Sequence, residues 1–170
     1  NMNNNQIGNA TGNAITFSAA TSGTVLGIGC TGGASTCSTT IQSNDIRGIV
    51  HSVGGSSTHN YINVTGSHQN LTVNLNTFTN LNVNTTGTVT FIAQSYSTTT
   101  GTGTKTVSNN SIVTAFNRGG ASGSVVLVTD NGSSSTGTLS TCTSNNFSNI
   151  TVAGTTTITG LNYTDGGTAP

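Results

Sequence analysis

The sequence contains very little charge, and this scarcity excludes several classes of protein. Its 170 residues include only three Lys or Arg and three Asp or Glu, and the formal net charge is zero. A nucleic-acid-binding protein needs clustered basic residues to neutralise phosphates, whereas Arg47, Lys105 and Arg118 are far apart in the chain. No apolar run approaches the roughly 20 residues of a membrane-spanning helix. We therefore expect neither a nucleic-acid partner nor a membrane span.

Residues that favour helices are also scarce. Glu is absent, Lys occurs once, and the chain is dominated by 36 Thr, 23 Asn, 21 Ser and 23 Gly, which are mediocre or poor helix formers. This composition argues against a helical bundle. Disorder is equally disfavoured, because 31% of the residues are apolar and the net charge is zero. The apolar residues are mainly Val, Ile, Leu and Phe in short alternating runs, a pattern typical of β-strands.

A six-residue motif, apolar-x-x-Asn-x-(Ile/Phe), occurs five times and organises the whole chain. Its copies begin near residues 2, 41, 73, 107 and 142, and the spacings between their Asn residues are 39, 32, 34 and 35. If the copies stack as coils of a solenoid, the Asn amides can hydrogen bond from one coil to the next. Asn also tolerates the left-handed backbone of a sharp corner. The predicted ladder consists of Asn5, Asn44, Asn76, Asn110 and Asn145.

Other strands accompany each motif. A further apolar position lies three residues after the Ile or Phe, a second strand follows at a variable distance after Gly- or Ser-rich loops, and a more polar strand precedes the motif. The sequence therefore predicts one all-β domain over residues 1–170, a parallel β-helix of about five coils. The further apolar positions are Ala10, Ile49, Leu81, Ala115 and Ile150. The inward pairs of the second strand are Ile15/Phe17, Ile62/Val64, Val89/Phe91, Val125/Leu127 and Thr156/Ile158.

The motif and the coil length resemble the repeats of right-handed parallel β-helix proteins of the pectate-lyase-like superfamily, including its bacterial secreted and surface members. The resemblance covers residues 2–170. It implies a right-handed solenoid in an extracellular or cell-surface setting. It says little about function, because lyases, phage tailspikes, adhesins and filaments all use this scaffold.

The residues that such lyases and glycosidases use are not recognisable in this chain. Pectate lyases, as the resemblance implies, need clustered acids for Ca²⁺, whereas Asp45, Asp130 and Asp165 fall on different coils. Inverting glycosidases of the superfamily need paired carboxylates, and no such pair is visible. His59 and His68 share no spacing typical of a metal site. We expect a non-enzymatic protein with no catalytic residues, no metal and no cofactor.

The densest polar group in the sequence is Asp45, Arg47 and His51 on the second coil. Because Ile46 points inward, Asp45 and Arg47 should both point outward and contact each other. We interpret the group as an exposed ion pair with a solvated histidine. A small ligand-contact patch is the alternative interpretation.

The three cysteines have two different interpretations. Cys30 and Cys37 flank a six-residue loop that is flexible enough to allow a disulfide, although the sequence leaves both states open. A disulfide there would indicate an oxidising, extracellular compartment. Cys142 occupies the place of Val73 and Val107 in the apolar column and is predicted to be a small buried hydrophobe.

Three classes of function remain open. The leading one is a non-enzymatic structural or adhesive solenoid of a secreted bacterial surface assembly, either a filament subunit or a segment of a longer adhesin rod. The second is a carbohydrate-binding or carbohydrate-cleaving β-helix, with surface glycans as partners. The third is an ice-binding solenoid, suggested by the Thr-x-Thr runs. Since no capping segment is recognisable at either end, we expect end-to-end self-association or continuation in a longer rod.

Overall fold

The computed structural model describes residues 1–9, 11–12, 15–98, 103–135 and 137–164. In these ranges all regular secondary structure is β-strand, which confirms the predicted all-β class. They contain no helix long and apolar enough to cross a membrane. In chain order the strands are β1 (Met2–Asn3), β2 (Gln6–Ile7), β3 (Ile15–Phe17), β4 (Thr24–Thr31), β5 (Ser38–Gln42), β6 (Asp45–His51), β7 (Thr58–Ser67), β8 (Asn70–Asn74), β9 (Thr77–Val83), β10 (Val89–Ser97), β11 (Thr104–Ser108), β12 (Ser111–Ile112), β13 (Phe116–Arg118), β14 (Ser122–Asp130), β15 (Leu139–Thr143), β16 (Ile150–Val152) and β17 (Thr155–Tyr163).

The strands form three sheets in which neighbouring strands run parallel. The first sheet has the order β1-β5-β8-β11-β15, and the third has the order β4-β7-β10-β14-β17. The second sheet has the order β2-β6-β9-β13-β16, with β3 also paired to β6 and β12 to β9. The chain visits the three sheets in turn and returns to the first sheet one strand further along. This path is that of a parallel β-solenoid, as the repeat predicts.

The strands lie in five levels along the solenoid axis. The first level comprises β1–β4, the second β5–β7, the third β8–β10, the fourth β11–β14 and the fifth β15–β17. The path from β1 to β15 completes four turns and β16 and β17 follow in an incomplete one, so the solenoid has about 4 complete turns, slightly fewer than the five coils predicted.

Apolar residues at equivalent positions stack in columns inside the solenoid. Ile41 lies beside Val73 in the first sheet, for example, and neither side chain is exposed. Aromatic rings form part of the same core. The ring centroids of Phe78 and Phe91 are 4.9 Å apart and those of Phe91 and Phe116 are 5.1 Å apart, both in edge-to-face geometry. Each level thus buries its apolar face against the next one.

The second strand of the repeat was only partly predicted. Ile15 and Phe17 belong to the second sheet, where β3 lies beside β6, and the third-sheet strand of the first level is β4. In the third sheet Ile62 lies beside Ile92 rather than beside Val89. Most of the predicted inward residues are buried or partly buried, among them Ile62 and Val89, but the pairs fall at different positions along the sheet because the loops before them differ in length from level to level.

The column three residues after each motif also needed correction. In the fourth level Phe116, not Ala115, lies beside Ile150, and Phe116 is buried. The fourth level therefore has one more residue at this point than the fifth, which a fixed spacing does not reveal. Ala10 lies outside the described residues.

Candidate functional site

The predicted Asn ladder occupies the corner between the first and second sheets. The side-chain amide of Asn44 donates to the side-chain oxygen of Asn76 at 2.9 Å, and Asn76 donates to Asn110 at 2.9 Å. The main-chain N–H of Asn44 donates to the same Asn76 oxygen at 3.0 Å, and the second amide proton of Asn76 goes to the Ile41 carbonyl at 3.0 Å. The fully buried Asn76 side chain is therefore completely hydrogen bonded. The series runs through Asn5, Asn44, Asn76, Asn110 and Asn145.

The sharp turn at this corner is made by the residue before each ladder Asn. We expected the ladder Asn itself to adopt the left-handed conformation, and the structure corrects this by one position. The φ angles of the preceding residues lie between 55° and 59°. Leu75 is the only one of these residues that is neither Asn nor Ser. It lacks the short polar side chain that makes the left-handed conformation less costly. The left-handed residues are Asn4, Ser43, Leu75, Asn109 and Ser144.

Asp45 and Arg47 form the expected ion pair on the outer side of β6. Arg47 Nη1 lies 3.1 Å from Asp45 Oδ2, and the guanidinium also donates to the Gln6 side-chain oxygen at 2.6 Å. Asp45 accepts a hydrogen bond from the Thr79 hydroxyl at 2.9 Å. Both side chains are partly buried, and the pair links three neighbouring levels of the second sheet.

His51 is not part of that pair, and the prediction of a solvated histidine was wrong. Gly48 has a left-handed φ of 65° and reverses the in-and-out alternation of β6, so that residue 51 points into the interior. The His51 ring lies 4.2 Å from Phe17 and 4.7 Å from His59, measured between centroids. Burial and, to a smaller extent, the neighbouring His51 lower the pKa of His59 to about 4. Both rings belong to the core.

Arg118 is an unexpected cation in the interior. It lies beside Val83 in a column of otherwise uncharged side chains, and it is 1% exposed. Its guanidinium donates to the carbonyl of Gly87 at 3.0 Å, to the carbonyl of Ser122 and to the Thr156 hydroxyl at 2.5 Å. Arg118 therefore links the third, fourth and fifth levels, which is a structural role.

Cys30 and Cys37 both lie close to His68, a contact that was not predicted from the sequence. Cys37 Sγ lies 3.1 Å from His68 Nδ1, and Cys30 Sγ lies 3.9 Å from His68 Nε2. Both thiols are free, so the disulfide considered from the sequence is not formed in this structure. Cys142, predicted to be buried, is exposed because it lies on the last level. Within the described ranges no three His, Cys, Asp or Glu side chains are placed to hold a metal ion.

A cavity of about 440 Å³ lies between the first and third sheets in the last levels. Lys105 and Asp130 form a buried ion pair in its wall, with Nζ 3.1 Å from Oδ1. Gln94 also lines the cavity and is 1% exposed, yet neither its side-chain nitrogen nor its oxygen has a partner among the described residues. The Ser140 hydroxyl, buried in the same wall, is also unpaired there. Each unpaired buried group costs about 1–3 kcal/mol, so the Gln94 amide and the Ser140 hydroxyl lower stability rather than raise it.

The polar cluster lies in columns whose second- and third-level neighbours include apolar side chains. Gln94 lies beside Val64 of the second level, and Lys105 lies beside Leu71. The sequence did not reveal this cluster, because Lys105 and Asp130 are 25 residues apart and meet only when the register across two loops is known. The sequence did contain one signal of this cluster. A charged or amide residue stands at a position where a neighbouring repeat has Val or Leu.

Comparisons with known proteins give no match: no family model fits the chain, and no curated protein or solved structure is detectably similar to it. The fold defines the chain as a parallel β-solenoid. The features that bear on its function are the ladder, the end faces and the cavity.

Proposed function

We propose that the protein is a non-enzymatic structural or adhesive solenoid of an extracellular, bacterial surface assembly, whose copies stack end to end into a rod. The wider resemblance to secreted pectate-lyase-like β-helices supports the cellular setting. The near absence of charge and the abundance of hydroxyl and amide groups suit an exposed rod that offers few tryptic sites. The observation that carries the proposal is the complementarity of the two end faces.

The ladder has a direction, and its two ends are chemically different. In each inner level the main-chain N–H and the amide of one Asn donate to the side-chain oxygen of the Asn in the next level. Among the described residues the ladder has no member beyond Asn145, whose amide donates to the Val107 carbonyl at 3.0 Å and to Cys142 Sγ at 3.5 Å, and at the first level Asn5 presents its side-chain oxygen. Asn145 of one copy can therefore donate to Asn5 of another in the geometry of the inner levels. This contact joins unlike faces and generates an open rod.

The apolar columns also have unlike ends, because their last members are exposed at the fifth level. Val125 and Val128 are buried in the fourth level, whereas Ile158 and Leu161 beside them in the fifth level are 48% and 55% exposed. A further level would bury these side chains, as each inner level does for its neighbour. The strands β15 and β17 also present unpaired edges of their sheets within the described chain. A second copy, seated through its first level, supplies the apolar column and the strand edges that these positions lack.

Sedimentation velocity over a wide range of concentrations tests the proposal. We expect oligomers that grow with concentration, and negative-stain images of rods whose width is that of one solenoid. Ile7→Asp should abolish assembly, because it places an unpaired charge in the junction. Asn3→Asp adds the same charge to an exposed site of the first level and retains the oxygen that accepts from Gln42, so it should still assemble. A monomer at every attainable concentration would refute stacking between copies.

A further inference from the structure

We propose that the cavity between the first and third sheets binds a neutral saccharide of one or two pyranose rings. The site consists of Gln94, Lys105, Asp130 and Ser140 as polar groups, with Leu161 and Tyr163 on the last level at its rim. Leu161 also belongs to the end face that stacking would cover, so the inference concerns the cavity of the unstacked protein.

Two of the four polar groups satisfy each other, and the other two are left to receive a ligand. Lys105 is 2% exposed and bonds to Asp130 and to the Gly132 carbonyl, at 3.1 and 3.4 Å. The Gln94 amide and the Ser140 hydroxyl, in contrast, have no partner within the described ranges. An amide offers two donors and an acceptor, and a hydroxyl offers one donor and two lone pairs. The matching ligand carries adjacent groups that both donate and accept, which is the property of sugar hydroxyls.

The charge of the cavity selects for a neutral ligand. The two ionised side chains compensate each other at 3.1 Å, so the cavity has no net charge to offer. An acidic sugar would have to compete with Asp130 for the Lys105 ammonium, and would leave the buried carboxylate without its partner. A neutral sugar leaves the ion pair intact.

The size and the apolar lining fit the same class of ligand. About 440 Å³ lies within the range of roughly 300–1,000 Å³ found for small-molecule sites. Val107 and Val128 provide aliphatic walls, and Tyr163, 48% exposed, provides an aromatic surface on the last level. A pyranose has one face of C–H groups that packs on such a surface while its hydroxyls reach the amide and the ion pair.

Binding is tested by saturation-transfer NMR with a panel of neutral hexoses and their disaccharides, with galacturonic acid as the charged comparison. The protein is used at a concentration where sedimentation shows a single species, so that stacking does not affect the result. We expect saturation transfer to at least one neutral sugar and weaker transfer to galacturonic acid. Absence of transfer to every neutral sugar, or preference for the acid, would overturn the inference.

Variants then locate the site. Gln94→Leu replaces an unpaired amide with the kind of side chain found in the neighbouring level, so we expect at least about tenfold weaker binding with no fall in melting temperature. Gln69→Leu makes the same exchange outside the cavity and should bind normally. If Gln94→Leu does not fold, Ser140→Ala provides the measurement and should weaken binding in the same direction. Binding that survives both changes would overturn the assignment to this cavity.

Discussion

Replacing Asn76 with Leu tests the physical basis of the ladder. Asn76 is fully buried in the central level and makes four side-chain hydrogen bonds with lengths of 2.9 to 3.0 Å. In Asn76→Leu the main-chain N–H of Asn44 loses its acceptor and the Ile41 carbonyl loses the amide donor. The Asn44 amide keeps one partner, the Met2 carbonyl, so it is only partly stranded.

The expected loss of stability follows from these two stranded main-chain groups. A buried polar group without a partner costs about 1–3 kcal/mol, so we expect Asn76→Leu to lower the free energy of unfolding by about 2–6 kcal/mol. This is a large part of the roughly 5–15 kcal/mol that stabilises a domain. Asn145→Leu should be less destabilising, because Asn145 is partly exposed at the last level.

The assay is urea unfolding followed by far-ultraviolet circular dichroism, with Asn82→Leu as the matched control. Asn82 lies on the outer side of β9 and is exposed, so the same exchange should change stability by no more than about 0.5 kcal/mol. If the unfolding midpoints of Asn76→Leu and Asn82→Leu coincide, the ladder hydrogen bonds do not stabilise the solenoid and our reasoning is refuted.

Two further predictions concern the corner and the core. Leu75→Asn should raise stability by about 1 kcal/mol in thermal unfolding, because φ is 55° at this position and Asn tolerates a left-handed backbone; a lower melting temperature than that of the parent would contradict this account. His59 has a pKa of about 4 in the folded protein, against about 6.5 when unfolded, so the unfolded state binds more protons between these values. Stability should therefore be constant above about pH 6.5 and fall by up to about 3 kcal/mol as the pH approaches 4, with a smaller contribution of the same sign from His51. Urea unfolding at several pH values measures this slope, and an unchanged slope in His59→Leu would contradict the assignment.

The ladder was predictable because it combines a fixed spacing with a fixed residue type. Asn44, Asn76 and Asn110 lie in a motif without insertions, so their stacking follows from alignment of the copies alone. The orientation of His51 was not predictable in the same way, because it depends on the left-handed Gly48, which changes which side chains of β6 face inward. A glycine in a strand leaves both the straight and the bulged path open.

The cavity was not predictable for a different reason. Gln94 and Asp130 lie beside each other in the third sheet, and Lys105 reaches Asp130 from the first sheet. The loops that join these sheets vary in length. Each strand can therefore be predicted from the sequence, but its alignment with the strand of the opposite sheet cannot. His68 and the two thiols beside it escaped notice for the same reason.

The columns at the junction of the first and third sheets limit how such a solenoid grows by duplication of coils. Deleting residues 73–106 would join Asn44 to Asn110 without interrupting the ladder, but it would remove Lys105 and leave Asp130 facing hydrocarbon. Deleting residues 41–72 would shorten the ladder by Asn44 without interrupting it, but it would remove His68 from the cysteine–histidine cluster, together with Val64 and Leu71, which lie beside Cys30 and Thr39. Any coil with an Asn at the corner can continue the ladder. At the junction of the first and third sheets, in contrast, the side chains of each coil need particular neighbours, and this restricts the order of the coils. A lineage that adds coils therefore does so most easily at the ends of the solenoid, because an added coil there does not separate side chains that already depend on each other.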